Sequence, residues 1–379
     1  MNRRPTRPPR PGAPAGPMGE PLQQVGRTEV RWRGRRLAYF AGCDYFRLAS
    51  HPAVQAAARS GLARFGLNAA ASRRTTGNHA VYEALEQDLA RWFGEESAVL
   101  LSNGYLTNLA AVQALDGDFT HVLADERAHV SLRDAARWSG RPVRWFPHRN
   151  AARAAEAARR LGPEARVLVM TDGLFAHSGE VAPLAALLRA LPRTARILVD
   201  DCHGAGTLGA TGGGTLEHLG VRSPRVIRTL TLSKAFGAYG GAVLGTRRFC
   251  ETLRARSAVL AGNTPLPFPL AQAARVALRV LGRHPALRRR LQSNTDRVRA
   301  ALRAAGLDLP DAPGPILPLH PASAAEAVRL RRRLLAAGIH PPFIRYPGNE
   351  SGYFRIVIAS EHTPRQLDAL AAALGPDRS

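Results

Sequence analysis

Short apolar runs that end in small or polar residues recur along this chain of 379 residues, and they constrain its fold more than any other feature. Residues 98–101, 120–124 and 226–232 are three such runs, and patterns typical of amphipathic helices separate them. Strands that alternate with helices predict an α/β protein with a mostly parallel central sheet. Because ligands of such sheets bind beyond the carboxyl ends of the strands, the residues after each run are the candidates for a functional site.

The run 226–232 leads to Lys234, which is the only lysine among 53 lysine and arginine residues. Arginine keeps its charge at ordinary pH, whereas a lysine amine can lose its proton and attack a carbonyl group to form a Schiff base. The alternative explanation is that one lysine survived by chance in an arginine-rich chain. Small residues follow, among them Gly237, Gly240 and Gly241, and they allow a flat ligand to approach the backbone closely. Lys234 is therefore the first candidate catalytic residue.

A second candidate segment follows the apolar run 197–199, where the chain reads Asp-Asp-Cys-His-Gly-Ala-Gly from Asp200. Together with Thr-Leu-Ser-Lys at 231–234, this segment resembles the α-oxoamine synthase family of fold-type I enzymes, which use pyridoxal phosphate (PLP). The resemblance extends over about residues 37–375, in chain order. It implies that Lys234 holds PLP, that Asp200 keeps the pyridine nitrogen protonated, and that His203 hydrogen-bonds the phenolic oxygen.

The resemblance assigns further side chains to the cofactor. Ser-Asn-Gly-Tyr at 102–105 opens a predicted helix, and backbone N–H groups at such a helix start can bind phosphate. His129 matches the family residue that stacks on the PLP ring, and Asp172 stands where the family has a longer acid. The predicted cofactor-binding residues are Gly104, Tyr105, His129, Asp172, Asp200, His203, Thr231, Lys234 and Thr264, and the predicted catalytic residues are Lys234, His129, Asp200 and His203.

Two residues are expected to bind substrate. Arg355 matches an arginine that grips the amino-acid carboxylate with its two-pronged guanidinium, and Cys43 stands where the family usually has a substrate-facing asparagine. Thr264 matches a residue through which the neighbouring subunit reaches the phosphate, so the resemblance implies a homodimer with shared active sites. Three further departures from the family pattern leave the choice of substrate open: Arg47, Ala176 and His177.

On this resemblance, the expected reaction joins a small amino acid to an acyl thioester carried by CoA or a carrier protein. Carbon dioxide and a free thiol leave, and an α-aminoketone is formed. Alanine with an acyl donor of medium length is the first expectation, followed by glycine or serine. The alternative on the same fold is aminotransferase or lyase chemistry, which needs no acyl donor.

Two other classes of protein share features with this sequence. Residues 204–209 match the G-x-G-x-x-G pattern of dinucleotide-binding proteins, but the glycines at 212–214 would break the helix which that pattern requires. The net charge of +24 and the isoelectric point near 11.5 are typical of nucleic-acid binders. The arginines are scattered, however, and a coding bias toward arginine together with attraction of anionic CoA-type substrates explains them better. We expect neither a nucleic-acid partner nor a membrane partner.

Four segments are expected from composition and motif order. Residues 1–22 form a disordered tail rich in proline and arginine, 23–50 an N-terminal segment, 51–265 the large PLP-binding domain, and 266–379 a small C-terminal α/β domain. No stretch approaches the roughly 18 uninterrupted apolar residues of a membrane helix, and the start of the chain lacks the apolar core of a signal peptide. Three cysteines without ligand-like spacing favour a reduced, cytoplasmic setting.

Overall fold

A computed structural model describes residues 19–346 and 349–375. The helices, in chain order, are α1 (Pro52–Phe65), α2 (Ala80–Phe93), α3 (Gly104–Ala114), α4 (Val130–Trp138), α5 (Ala151–Arg159), α6 (Leu184–Ala190), α7 (Gly214–His218), α8 (Arg247–Arg256), α9 (Ala258–Gly262), α10 (Phe268–Arg283), α11 (Ala286–Ala304), α12 (Ala324–Ala336) and α13 (Pro364–Leu374). The strands are β1 (Gln23–Gln24), β2 (Glu29–Trp32), β3 (Arg35–Ala38), β4 (Ser97–Leu101), β5 (His121–Asp125), β6 (Val143–Phe146), β7 (Val167–Asp172), β8 (Arg196–Asp200), β9 (Val226–Thr231), β10 (Gly241–Gly245), β11 (Ile316–Leu319), β12 (Phe343–Tyr346) and β13 (Asn349–Val357).

The central sheet has seven strands in the order β4-β10-β9-β8-β7-β5-β6. Strand β10 is antiparallel to both of its neighbours, and the other neighbouring pairs are parallel. The prediction of a mostly parallel sheet in an α/β fold is therefore confirmed. No helix starts at the glycines of the G-x-G-x-x-G match, because residues 202–211 form turns and bends. The dinucleotide-binding alternative lacks the structure that it requires.

Helices cover both faces of the central sheet, which explains why its strands read as continuous apolar runs. In β4, Val99 and Leu101 pack on the side of α3, α4 and α8, whereas Leu100 packs on the side of α1, α2 and α10. Strands β7, β8 and β9 are buried along almost their entire length. This two-sided burial makes the centre of the sheet a rigid support for the loops at its edge.

A second apolar core lies in the C-terminal part of the chain. The antiparallel sheet β11-β13-β12 packs against α11, α12 and α13, and Phe40 from the N-terminal segment is part of the same core. Strand β3 reaches this unit as well, because Ala38 N–H donates to the Gly338 carbonyl oxygen at 2.8 Å. Helix α10, by contrast, packs in the core of the central sheet. The predicted division at residues 265 and 266 remains a prediction, and the apolar cores separate closer to α11.

Three local features complete the description of the fold. The helical segment after β10 is interrupted at Ser257, whose hydroxyl caps α9. Ile339 forms an isolated bridge to Ala38. Residues 1–18 of the predicted tail lie outside the described residues, whereas Glu20 pairs with Arg33. Across the ranges 19–346 and 349–375, no helix combines the length and the apolar character that membrane crossing requires.

Candidate active site

The segments singled out in the sequence meet at one edge of the central sheet. Strands β4, β5, β7, β8 and β9 run in the same direction, so their carboxyl ends lie together. A cleft of about 390 Å³ opens at this edge. Its lining residues are Asn103, Gly104, Tyr105, His129, Ser131, Asp172, Asp200, Cys202, His203, Thr231, Ser233, Lys234 and Tyr239. Eight of the nine residues predicted to bind the cofactor are among them, and Thr264 is the exception.

Lys234 lies in the turn that follows β9, and its Nζ is 2.8 Å from His203 Nε2. The other ring nitrogen of His203, Nδ1, is 2.7 Å from the hydroxyl of Tyr45. Burial lowers the pKa of His203 well below its ordinary value, and the neighbouring basic groups of Lys234 and Arg355 act in the same direction. His203 is therefore a neutral imidazole whose orientation is set at both nitrogens.

Asp200 ends β8 at the base of the cleft, where only 4% of its surface is exposed. Its Oδ2 accepts a hydrogen bond from Asn108 Nδ2 at 2.7 Å, and its Oδ1 accepts from the Cys202 backbone N–H at 3.1 Å. Asn108 is held in turn by Thr229, whose hydroxyl donates to Asn108 Oδ1 at 2.7 Å. These contacts fix the carboxylate in one orientation, as required for a group that must face a single ligand atom.

His129 and Asp172 form the neighbouring wall. The backbone N–H of His129 donates to Asp172 Oδ2 at 2.8 Å, and His129 Nδ1 lies 2.8 Å from the hydroxyl of Ser131. Ser131 also accepts a hydrogen bond from Asn108, which links this wall to Asp200. Burial, together with the nearby carboxylate of Asp200, raises the pKa of Asp172 well above its ordinary value. Asp172 therefore resists ionisation.

The start of α3 forms the end of the cleft next to β9. Asn103 caps this helix by accepting from the Leu106 N–H at 3.1 Å, and the first N–H groups of a helix have no partner within it. Gly104 lies so close to β9 that a Cβ atom there would be 2.6 Å from Thr231 Cβ. Tyr105 follows, and its hydroxyl donates to Asp134. A helix start, the adjoining hydroxyls of Thr231 and Ser233, and the absence of a side chain at Gly104 suit a phosphate group.

The remaining predicted residues lie around the cleft and do not line it. Arg355, in β13, is near enough for its charge to lower the pKa of His203, and Cys43 lies near enough to help raise the pKa of Tyr45. Thr264 is exposed and lines a small separate groove with Ser102. Four of the departures from the family pattern, unlike Asp172, are not among the cleft-lining residues of the described chain: Cys43, Arg47, Ala176 and His177.

Sequence reasoning missed the side chains that hold the candidate catalytic groups in place. Asn108 carried a weak signal, because it is a polar residue in a mostly apolar helix and lies four positions after Gly104, hence on the same helix face. Tyr45 lies in a segment that resembles a family motif, but nothing there indicated a contact with His203. Ser131 lies two residues after His129, and no pattern indicated a role for its hydroxyl. Each contacts a predicted site residue through a hydrogen bond that the local sequence pattern did not indicate.

Comparison with known proteins agrees with this arrangement. The family model for aminotransferase class I and II matches residues 43–374, and the chain belongs to this family. The 8-amino-7-oxononanoate synthase of Methylococcus capsulatus is 40% identical over 351 residues, which cover 92% of this chain and 90% of that protein. The resemblance to α-oxoamine synthases and the predicted fold type are therefore confirmed.

Two solved structures extend the comparison. Serine palmitoyltransferase of Sphingomonas wittichii superposes with a TM-score of 0.88 at 27% identity, over 93% of this chain and 90% of that one. A lysine-to-alanine variant of serine palmitoyltransferase from S. paucimobilis, solved with a bound PLP–myriocin aldimine, has a TM-score of 0.87 at 26% identity with the same coverage. Both neighbours share the fold over 93% of this chain.

Proposed function

We propose that this protein is a PLP-dependent acyltransferase. It condenses a small amino acid with an acyl thioester and releases carbon dioxide and free thiol, in the manner of 8-amino-7-oxononanoate synthase. The observation that carries the proposal is the cleft in which the only lysine of the chain meets His203 at 2.8 Å, with the fixed carboxylate of Asp200 at its base. The curated relatives named 8-amino-7-oxononanoate synthase support the choice of reaction.

The cleft residues fit PLP group by group. The start of α3 with Gly104 suits the phosphate, the Asp200 carboxylate suits the pyridine nitrogen, and the amine of Lys234 suits the aldehyde carbon. Asp172 and His129 form the wall beside the ring position. When bound, PLP supplies an electron-poor ring that stabilises negative charge on the α-carbon of the substrate.

The residues of the chain perform the remaining tasks. Lys234 Nζ removes the α-proton of the amino acid. The ring of His203 beside it stays uncharged, so no second positive charge lies next to Lys234 when it takes up this proton. Arg355 binds the substrate carboxylate through its guanidinium. Asp200 presents its side chain to the ring nitrogen in a fixed orientation, because Asn108 and the Cys202 N–H both donate to it. The net charge of +24 attracts a polyanionic thioester to the cleft.

The reaction is tested by product balance. With alanine and an acyl thioester of medium length, we expect free thiol and carbon dioxide in equal amounts, both dependent on added PLP. Glycine and serine, combined with short and long acyl thioesters, complete the panel. If every combination gave transfer of the amino group to a keto acid and none released thiol, the protein would be an aminotransferase and not a synthase.

We expect Gly104→Ala to remove the preference for the phosphorylated cofactor. The new Cβ would lie 2.6 Å from Thr231 Cβ, so the start of α3 must move away from β9. PLP affinity should fall by about tenfold or more, the effect of losing roughly 1.4 kcal/mol of binding, while affinity for pyridoxal, which lacks the phosphate, changes little. The matched control is Gly262→Ala, because a Cβ there meets nothing within 4 Å. If Gly104→Ala lowered the affinities for PLP and for pyridoxal equally, the phosphate would not bind at the start of α3.

The protein acts as a homodimer in which Thr264 of one subunit contributes to the site of the other. This assignment rests on the family resemblance, and the exposure of Thr264 outside the cleft of its own subunit supports it. Co-expressed Lys234→Ala and Thr264→Ala subunits should recover part of the turnover, because one mixed site keeps both residues. Pairing Lys234→Ala subunits with the double variant should recover none. Full activity of a monomer at high dilution would contradict the shared site.

A cytoplasmic location is part of the proposal. Its support is that the three cysteines, Cys43, Cys202 and Cys250, are all free thiols in the structure, as in proteins of a reducing compartment.

A further inference from the structure

Tyr45, His203 and Lys234 form a continuous line of hydrogen bonds. The Tyr45 hydroxyl is 2.7 Å from His203 Nδ1, and His203 Nε2 is 2.8 Å from Lys234 Nζ. A neutral imidazole carries its proton on one nitrogen and offers a lone pair on the other. The line therefore has two proton arrangements. In one, His203 donates to Lys234, and in the other, His203 accepts from Lys234 and donates to Tyr45.

The hydroxyl of Tyr45 keeps its proton. Tyr45 is completely buried, and burial raises the pKa of its phenol well above the ordinary value, with Cys43 and Cys202 contributing in the same direction and Arg355 opposing. A neutral phenol must donate its proton to some acceptor to avoid the cost of a buried, unpaired O–H group. Its two neighbours are the lone pair of an imidazole nitrogen and the thiol of Cys43. Sulfur is the weaker acceptor of the two.

The surroundings of His203 favour one proton on the ring and not two. Burial lowers the pKa of His203 well below its ordinary value, and the groups that act on it electrostatically are Lys234, Arg355 and His129, each a cation or a potential cation. With Nδ1 accepting from Tyr45, the single ring proton must be on Nε2. The Tyr45 hydroxyl then donates to His203 and the His203 ring donates to Lys234, so both donors of the line have an acceptor.

We infer that Tyr45 is a positioning residue that sets the tautomer of His203, so that the Nε2–H of His203 points to the reactive end of Lys234. The donated proton requires a lone pair on Lys234 Nζ, which is the amine form that can attack a carbonyl. In the other tautomer, a bare Nε2 would accept a hydrogen bond from the lysine N–H and so stabilise its unreactive ammonium form. The same Nε2–H can serve the phenolic oxygen of PLP, and this last step rests on the proposed function.

The tautomer can be read directly by nitrogen-15 NMR on the full-length protein labelled at histidine, with His203→Gln used to assign the signals. In the parent protein, we expect Nε2 of His203 to be protonated and Nδ1 to carry the lone pair. Tyr45→Phe removes one hydroxyl and keeps the packing, so the His203 signals should shift toward a mixture of both tautomers. A protonated Nδ1 in the parent, or unchanged His203 signals in Tyr45→Phe, would overturn the inference.

The chain offers a matched control for the loss of a buried hydroxyl. Tyr82 is also fully buried in the same apolar core, and its hydroxyl donates to the Leu266 carbonyl oxygen at 2.7 Å, outside the residues that line the cleft. Tyr82→Phe should lose comparable stability and leave the His203 signals unchanged. Cys43→Ala should also leave them unchanged. A tautomer change in Cys43→Ala would show that the phenol donates to the thiol, which contradicts the inference even if Tyr45→Phe fails to fold.

A second measurement follows the rate at which PLP becomes covalently attached as a function of pH. At each pH, Tyr45→Phe should attach PLP more slowly than the parent or Tyr82→Phe, because part of its His203 rings present a bare Nε2 to Lys234. The NMR measurement uses no substrate and no cofactor. A protein that shows the expected tautomer change but releases no thiol from acyl thioesters would retain the inference and lose the proposed reaction. Thiol release together with an unchanged His203 tautomer in Tyr45→Phe would support the proposed reaction and overturn the inference about Tyr45.

Discussion

Lys234→Arg removes the covalent attachment of PLP and lowers turnover by about a thousandfold or more, while the fold remains intact. The guanidinium keeps the positive charge but cannot form a Schiff base or act as a base, and general base catalysis alone contributes about 10²–10⁴-fold. Lys234 is the only lysine in the sequence, so no other lysine can replace it. Borohydride reduction followed by intact-mass measurement should show one bound cofactor in the parent and none in the variant.

Because the chain has one lysine, a control variant can move that lysine to another position. Arg189 lies exposed near the end of α6, far from the carboxyl edge of the sheet. Adding Arg189→Lys to Lys234→Arg restores a total of one lysine without restoring a lysine in the cleft. If this double variant showed a reducible link to PLP, attachment would depend on the presence of any lysine. Attachment in the single Lys234→Arg variant would refute the assignment of Lys234.

Asp200→Asn should lower turnover by about a hundredfold to a thousandfold, the range typical for removing one preorganised electrostatic partner. The carboxylate receives two hydrogen bonds, from Asn108 Nδ2 at 2.7 Å and from the Cys202 N–H at 3.1 Å. An asparagine has one oxygen for these two donors, so its amide group must face one of them. Both the charge opposite the ring nitrogen and the orientation of the side chain are lost. Turnover and the absorbance spectrum of bound PLP measure the effect.

The neighbouring acid Asp201 provides the matched control. Asp201 is completely buried on the other side of the chain, where both of its oxygens accept from the Thr215 N–H and Arg228 lies 3.9 Å away. Burial raises its pKa to about 6. Asp201→Asn should cost about 1–3 kcal/mol in the free energy of unfolding and leave turnover close to that of the parent. Equal losses of turnover in both variants would mean that Asp200 acts through the fold alone.

The groups that carry chemistry could be predicted because each stands in a short segment directly after a strand. Lys234 follows β9 and Asp200 ends β8, so the apolar runs before them located both at the same edge of the sheet. His129 and Gly104 were found in the same way, after β5 and β4. The family resemblance supplied their roles, and the cleft contains all four.

The sequence alone therefore determined the α/β class, the parallel sheet and the candidate reactive groups, because strand periodicity and short motifs are local properties of the chain. Only the tertiary structure decided which side chains hold these groups. Asn108 and Asp200 are 92 residues apart in sequence, and Tyr45 and His203 are 158 residues apart. Hydrogen bonds across such separations depend on how α3 and the N-terminal segment pack against the sheet edge. No local pattern records that packing, because it results from burial of apolar faces throughout the molecule.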